Sequence, residues 1–315
     1  MCGENGRNKQ QYSGGLWRMT RGNKINTRQV TGLFLIVTTC VILFWYLWSH
    51  PIALSGLMNV TPVDLVTINL LYVSSILTLS MNLSEIVRCA DKRITAYESL
   101  LVTSYSSWAN YLVPGQSGPG LRAIYLKAKH GVPISLVMTG TLLYLLWLVA
   151  ISTCMVFYAA FASGQRSALF MTVAMLVAAL VITIMLKVGS AQQIEERFAA
   201  RIRIVVATGF FTLIQLVLIG VIYYVELTAI DSRISIAQTA GYAGIANLSL
   251  LVAITPGALG IREAFLAISQ DIHNIPVETI AAASAVDRAS YLVLLAELSI
   301  FIALSHAREQ FRLGE

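Results

Sequence analysis

Two segments of this sequence organise the rest of the chain: Asn110-Tyr-Leu-Val-Pro-Gly-Gln-Ser-Gly118 and Val252-Ala-Ile-Thr-Pro-Gly-Ala-Leu-Gly260. Each segment ends an apolar run with Pro-Gly and places another glycine three residues later. Proline lacks a backbone N–H, and glycine adopts backbone conformations that are closed to other residues. We therefore predict a break in a helix at each segment, formed by Pro114, Gly115, Gly118, Pro256, Gly257 and Gly260.

The composition is that of a membrane protein. Of the 315 residues, 57% are hydrophobic and 12% are charged, whereas about 25% of the residues of a soluble domain are charged. Several apolar runs approach the roughly 20 residues that a helix needs to cross a bilayer. The sequence therefore predicts an all-α polytopic integral membrane protein.

The distribution of the basic residues along the chain indicates its membrane topology. The formal net charge is +6, and residues 1–30 alone carry six Lys or Arg and one Glu. Because basic residues concentrate on the cytoplasmic side, residues 1–30 are predicted to form a cytoplasmic tail. No nucleic-acid-binding module is recognisable, and we expect no nucleic acid as a partner.

Six membrane spans and two re-entrant helical hairpins account for the rest of the chain. The predicted spans are 31–49, 63–81, 134–161, 168–186, 204–225 and 277–304, and the hairpins occupy 94–130 and 234–273. A basic loop at 84–93 is predicted to be cytoplasmic, and Glu226 is predicted to begin an acidic outer loop. The flanks of each broken segment carry similar charge, so each segment enters and leaves by the same side. Such a hairpin must be covered by protein or line a wet cavity.

The two halves of the chain have the same order of elements. Residues 31–161 and residues 167–305 each read as span, span, hairpin and span, and residues 306–315 form a cytoplasmic C-terminal tail. Each half crosses the membrane an odd number of times, so the second half is predicted to be inverted relative to the first. Inverted repeats with broken helices at their interface are a known plan of transporters.

The sequence around the second break resembles the signature of a known protein family. Thr255-Pro-Gly-Ala-Leu-Gly-Ile-Arg-Glu-Ala264 resembles the Pro-Gly-Gly-Leu-Gly-x-x-Glu signature of the lysylphosphatidylglycerol synthase transmembrane, or flippase-like, family. The first break, with the basic segment 122–127 and His130-Gly-Val-Pro133 after it, is similar to the first-half motif of that family. The resemblance runs from about Val30 to the C-terminus. It implies a protein that handles lipids or lipid-linked sugars, as a flippase or as an accessory protein of lipid and glycan pathways.

The sequence departs from the family pattern at two places. Ala258 stands where the signature usually has a second glycine. Members of the family often carry a Glu-Arg pair in the span after the first hairpin, whereas this chain has only apolar and aromatic residues around Leu143-Tyr144. The second-half arginine of the family pattern is present as Arg288. The missing pair leaves the substrate class open.

Basic residues follow both breaks, and two interpretations of them remain open. Arg262 and Glu263 come directly after the second break, where a new helix would point its free N–H groups at an anion. Arg262 would add a planar fork suited to phosphate, or it is an interface residue that reaches water. Arg122 has the same place after the first break, as an anion ligand or as a marker of the cytoplasmic side.

Asp287 and Arg288 lie inside the last predicted span. Charged residues within a membrane are costly and mark a functional or pairing site. Adjacent residues on a helix do not face each other, so each needs another partner. For Arg288, Glu98 and Glu263 are the best candidates. A structural ion pair that fixes the hairpins is the alternative to a role in substrate binding or gating.

The preferred function is translocation of an anionic phospholipid or a polyprenyl-phosphate-linked lipid between leaflets of a bacterial inner membrane. The alternatives are a non-transporting accessory subunit of a lipid or glycan biosynthesis enzyme and, less favoured, a membrane glycosyl- or lipid-transferase. The four cysteines form no CxxC pair, and no metal-ligand cluster, nucleotide fingerprint or catalytic triad is recognisable. We therefore expect no enzyme activity, no cofactor and no metal.

Overall fold

The computed structural model describes residues 41, 60–112, 117–164, 198–252, 258 and 260–314. Every element with assigned bounds in these residues is helical. The helices are α1 (Pro62–Arg88), α2 (Ala96–Leu112), α3 (Gly118–His130), α4 (Ile134–Ala162), α5 (Phe198–Ile230), α6 (Ile236–Ser249), α7 (Ile261–Ile268), α8 (Gln270–His273) and α9 (Val277–Gly314), with a 3-10 turn at Leu250–Val252 after α6.

Four helical stretches of the described residues are long and apolar enough to cross a membrane. They are Pro62–Arg88, Ile134–Ala162, Ile202–Ile230 and Val277–His306, and they coincide with four of the predicted spans. The described residues therefore have the architecture of an α-helical polytopic membrane protein. Several predictions lie outside the described residues: the tail at 1–30, the spans at 31–49 and 168–186, and the breaks at Pro114, Gly115, Pro256 and Gly257.

Two predicted loop boundaries are wrong. α1 continues to Arg88, into the loop predicted at 84–93. α5 continues to Ile230, so Glu226, predicted for the outer loop, lies inside a helix and is fully buried. A glutamate lowers the hydropathy of a sequence window but does not end a helix, because Glu is a good helix former.

The ends of the helices follow local sequence rules. α1 begins with a capping box in which the Thr61 and Asp64 side chains satisfy each other's backbone N–H groups. Ser235 and Gln238 form the same arrangement at the start of α6. α3 is capped at its C-terminus by Gly131, whose φ of 66° places it in the left-handed region that favours glycine.

Small residues allow the long helices to pack closely. α4 packs along α6, where a Cβ added at Gly244 would lie 2.7 Å from the Ser152 carbonyl oxygen. α1 packs along α5, and α9 contacts α1, α2 and α5. Close backbone approach of this kind is how membrane helices gain van der Waals contact. The packing brings α7, α9 and the C-terminal third of α5 together around Arg262.

The short helices α2 and α3 are joined by a tight polar contact. The Gly118 N–H donates to Asn110 Oδ1 at 2.7 Å, and the Ser117 hydroxyl donates to the Ala109 carbonyl at 2.8 Å. A Cβ on Gly118 would lie 2.6 Å from both Asn110 Oδ1 and the Ser106 carbonyl oxygen. Only glycine at this position fits the observed approach of the two helices.

We expect Gly118→Ala to destabilise the protein by about 1–3 kcal/mol, the usual cost of overpacking. Gly120→Ala is the matched control, because a Cβ there meets nothing within 4 Å. The control should be neutral or slightly stabilising, since glycine weakens a helix. Thermal unfolding of both purified variants measures the difference, and equal melting temperatures would contradict the observed contact.

Candidate functional site

A cavity of about 280 Å³ lies among the helices in the middle of the protein. Every helix except α8 contributes to its wall, which includes Ile76, Leu79, Leu148, Ile219 and Leu294 on the apolar side. Its charged lining residues are Arg122, Arg262, Asp287 and Arg288. Three arginines and one carboxylate thus share one interior cavity.

Wider depressions also open on the surface. One of about 560 Å³ lies where α1 ends and α5 begins, and it is lined mainly by basic side chains, including Arg88, Arg93 and Arg203. Basic residues at helix ends are expected from membrane topology. Intramembrane charges are the stronger indication of function, so the interior cavity is the candidate site.

Arg262 and Asp287 form a buried ion pair beside the cavity. Arg262 Nη1 lies 2.5 Å from Asp287 Oδ2, and the two side chains are 6% and 5% exposed. The Tyr72 hydroxyl donates to the second oxygen of Asp287. Arg262 also contacts Tyr223, by a hydrogen bond of 3.3 Å to the hydroxyl oxygen and by lying over the ring. Four helices therefore meet at this pair.

Arg288 pairs with Glu263 on α7. Arg288 Nη2 lies 3.2 Å from Glu263 Oε1 and also donates to the Ala258 carbonyl at 3.4 Å. The second oxygen of Glu263 accepts the Gly260 N–H at 2.9 Å. The predicted anion site at the start of this helix is therefore partly occupied by the protein's own carboxylate.

Ala258 stands where the family signature has glycine. Its φ is 53°, in the left-handed region that glycine adopts without strain. Its carbonyl accepts a hydrogen bond from Arg288. The signature glycine is thus explained by the backbone conformation beside the cavity.

Arg122 differs from the other two arginines. No carboxylate of the described residues forms an ion pair with it, and the neighbouring titratable group is the Tyr144 hydroxyl. Its Nε atom is buried and has no hydrogen-bond partner in the part of the chain that the structure describes. Unmet donors also remain at Arg262 Nη2 and Asn247 Nδ2, and all three residues line the cavity. The cavity can therefore offer several N–H groups to an anion.

Glu98 has a different role from the predicted one. Its Oε1 accepts from the Tyr125 hydroxyl at 2.7 Å and lies 2.9 Å from Lys129 Nζ and 2.8 Å from His130 Nε2. Although burial raises the pKa of Glu98, these three donors lower it to about 2. Glu98 thus ties α2 to α3 and does not pair with Arg288.

The structure brings four predicted site residues to one cavity: Arg122, Arg262, Asp287 and Arg288. Glu263 lies beside them as the partner of Arg288. The sequence predictions missed Tyr72, Tyr223 and Glu226. The spacing of Tyr223 and Glu226 places them on one helix face, and this is the signal that could have found them.

Comparison with known protein families identifies a match that covers most of the chain. A sequence model described as the lysylphosphatidylglycerol synthase TM region matches residues 29–298. No curated protein matches this sequence. The matched range includes every residue that lines the cavity.

Proposed function

The chain belongs to the family of lysylphosphatidylglycerol synthase TM regions, and from that premise we propose that it moves a lipid between membrane leaflets. The lipid carries an anionic headgroup, either that of a phospholipid or a polyprenyl phosphate. The headgroup occupies the cavity, and the lipid tails remain in the membrane. The chain itself catalyses no bond-making step in this proposal.

The arginines of the cavity carry the proposal. Arg262 and Arg288 each have a carboxylate partner, whereas Arg122 has none among the described residues. A guanidinium presents a planar fork of donors that suits phosphate oxygens. Burial of a charge in a membrane is costly unless a partner or a substrate offsets it. A bound phosphate would supply the anion that Arg122 lacks.

The two segments predicted as hairpins each place an arginine at the cavity. α2 and α3 bring Arg122, and α6 and α7 bring Arg262. At 1.5 Å per residue, α2 and α6 are roughly 25 and 21 Å long, shorter than the roughly 30 Å hydrocarbon core. We propose that 94–130 and 234–273 are re-entrant hairpins of two inverted repeats, with both termini on the cytoplasmic side of an inner membrane.

An accessory subunit of a lipid or glycan biosynthesis enzyme is the second candidate. Tyr144 lines the cavity near the position where the family often carries a Glu-Arg pair. A chain without that pair would retain a headgroup site and lose a charge network that transport would use. In this role the cavity binds an anionic lipid and presents it to the enzyme.

We expect the purified chain to move fluorescent NBD-phosphatidylglycerol across vesicles of phosphatidylcholine. Dithionite added outside bleaches only the outer leaflet, so transport appears as a second, slower loss of fluorescence beyond that of protein-free vesicles. NBD-phosphatidylcholine is the control for headgroup charge, and a fluorescent polyprenyl phosphate tests the other lipid class. If both anionic probes bind but neither moves, transport is excluded and the accessory role replaces it.

A further inference from the structure

Glu226 is a buried carboxyl group that the proposed function does not use. It lies on α5, is fully buried, and neither of its oxygens has a hydrogen-bond partner among the described residues. It follows Tyr223 by three positions, so the two side chains lie on one face of the helix. Tyr223 lines the cavity and contacts Arg262. Glu226 therefore lies about one helical turn from Tyr223, which contacts the Arg262 side chain of the buried ion pair.

The surroundings of Glu226 favour its neutral form. The groups that act on it electrostatically are Tyr72 on α1, Tyr223 on its own helix, Tyr242 on α6, Arg262 on α7 and Asp287 on α9. One of these groups is basic, and it is already paired with Asp287. A buried carboxylate without a donor or a free cation is costly, and the group binds a proton instead.

The charge of the site then depends on Glu226. With Glu226 neutral, the two buried ion pairs balance and Arg122 leaves one positive charge for an anion. With Glu226 ionised, the same set of residues is neutral and the attraction for an anion is lost. Binding of the anion and binding of the proton must therefore favour each other, because coupling between two sites is reciprocal.

We propose that Glu226 is a proton-binding site whose proton is taken up when an anion occupies the cavity and released when the anion leaves. The inference rests on the proposed function and adds a driving force to it. A singly charged anion and one proton move together, so the step carries no net charge. A pH gradient would then drive the lipid toward the leaflet that faces the more alkaline solution.

The first test uses the infrared spectrum of the full chain in an ester-free detergent. A carboxylic acid C=O band should be present at neutral pH, absent in Glu226→Gln and retained in Glu98→Gln, whose carboxylate is held ionised by its three donors. The midpoint pH at which the band disappears should rise when glycerophosphoglycerol is added. A missing band, or a midpoint that the anion does not shift, overturns the proposal whether or not the chain transports lipid.

The second test imposes a pH gradient on the transport vesicles. The leaflet ratio of NBD-phosphatidylglycerol should shift toward the alkaline side by up to about tenfold per pH unit, the limit for one coupled proton. Glu226→Gln, which keeps the size and neutral charge of the acid, should remove the response, whereas Glu98→Gln should retain it. Transport that ignores the gradient, or a Gln variant that still follows it, overturns the coupling and leaves the proposed function intact.

Discussion

Replacing Asp287 with leucine should lower the free energy of unfolding by about 3–5 kcal/mol, the usual effect of leaving a buried charge without its partner. Arg262 would lose its carboxylate while its side chain, 6% exposed, stayed almost fully buried. The double variant Arg262→Met/Asp287→Leu should recover most of the loss, because apolar residues often replace a buried ion pair at little cost. Denaturant unfolding of purified protein measures all three variants.

The matched control for this experiment is the pair Asp231 and Arg233. These residues also form an ion pair, with Arg233 Nε 3.0 Å from Asp231 Oδ1, but the Arg233 side chain is 87% exposed. Solvent screens such a pair, so Asp231→Leu should leave the unfolding transition unchanged. If Asp287→Leu is as stable as the wild-type protein, the buried pair is not structural. Arg262 would then be held for the substrate, which is one of the two roles that the sequence left open.

Hydropathy predicts four of the helical spans, and charge singles out the four charged residues of the cavity, but neither predicts which charges pair. Arg262 on α7 pairs with Asp287 on α9, and Glu263 on α7 pairs with Arg288 on α9. Adjacent residues on a helix point in different directions, which explains why each dipeptide needs two partners. The distance and relative rotation of α7 and α9 depend on the packing of the whole protein. They cannot be predicted from the local pattern of a single sequence.

The burial of Glu226 could not be predicted from the sequence for a different reason. Its position at the end of an apolar run favours a loop, since a charge there usually marks the membrane surface. Burial of Glu226 depends on α1, α6, α7 and α9, which approach α5 from distant parts of the chain. The i, i+3 spacing with Tyr223 is a local signal, but it becomes informative only when Tyr223 is known to contact Arg262.

Glu98 on α2 is another side chain whose partners could not be predicted from the sequence. The sequence offers Glu98 as a partner for an arginine in the last span, and the structure instead places it against α3. The closer partners lie 27 to 32 positions along the chain, at Tyr125 and His130. With Glu98 engaged there, no acid of α2 or α3 reaches Arg122, and in the proposed function the positive charge of Arg122 binds a ligand.

Replacing Arg122 with alanine should reduce transport of an anionic lipid without reducing stability. A hydrogen bond to a charged group contributes about 1.5–3 kcal/mol, which corresponds to a loss of roughly 10- to 100-fold in rate or affinity. Stability should not fall, since no carboxylate of the described residues depends on Arg122. Arg122→Lys should recover part of the transport, because lysine restores the charge but lacks the planar fork.

Lys127→Ala is the matched control for Arg122→Ala. Lys127 lies on the same helix five positions later and is exposed to solvent, away from the cavity lining. Its removal should leave both the NBD-phosphatidylglycerol transport rate and the melting temperature unchanged. Two results would contradict the assignment of Arg122 to the headgroup: wild-type transport by Arg122→Ala, or equal losses in the two variants. Wild-type transport by Arg122→Ala would show that Arg122 does not bind the headgroup. Equal losses in the two variants would indicate a general effect of positive charge on α3.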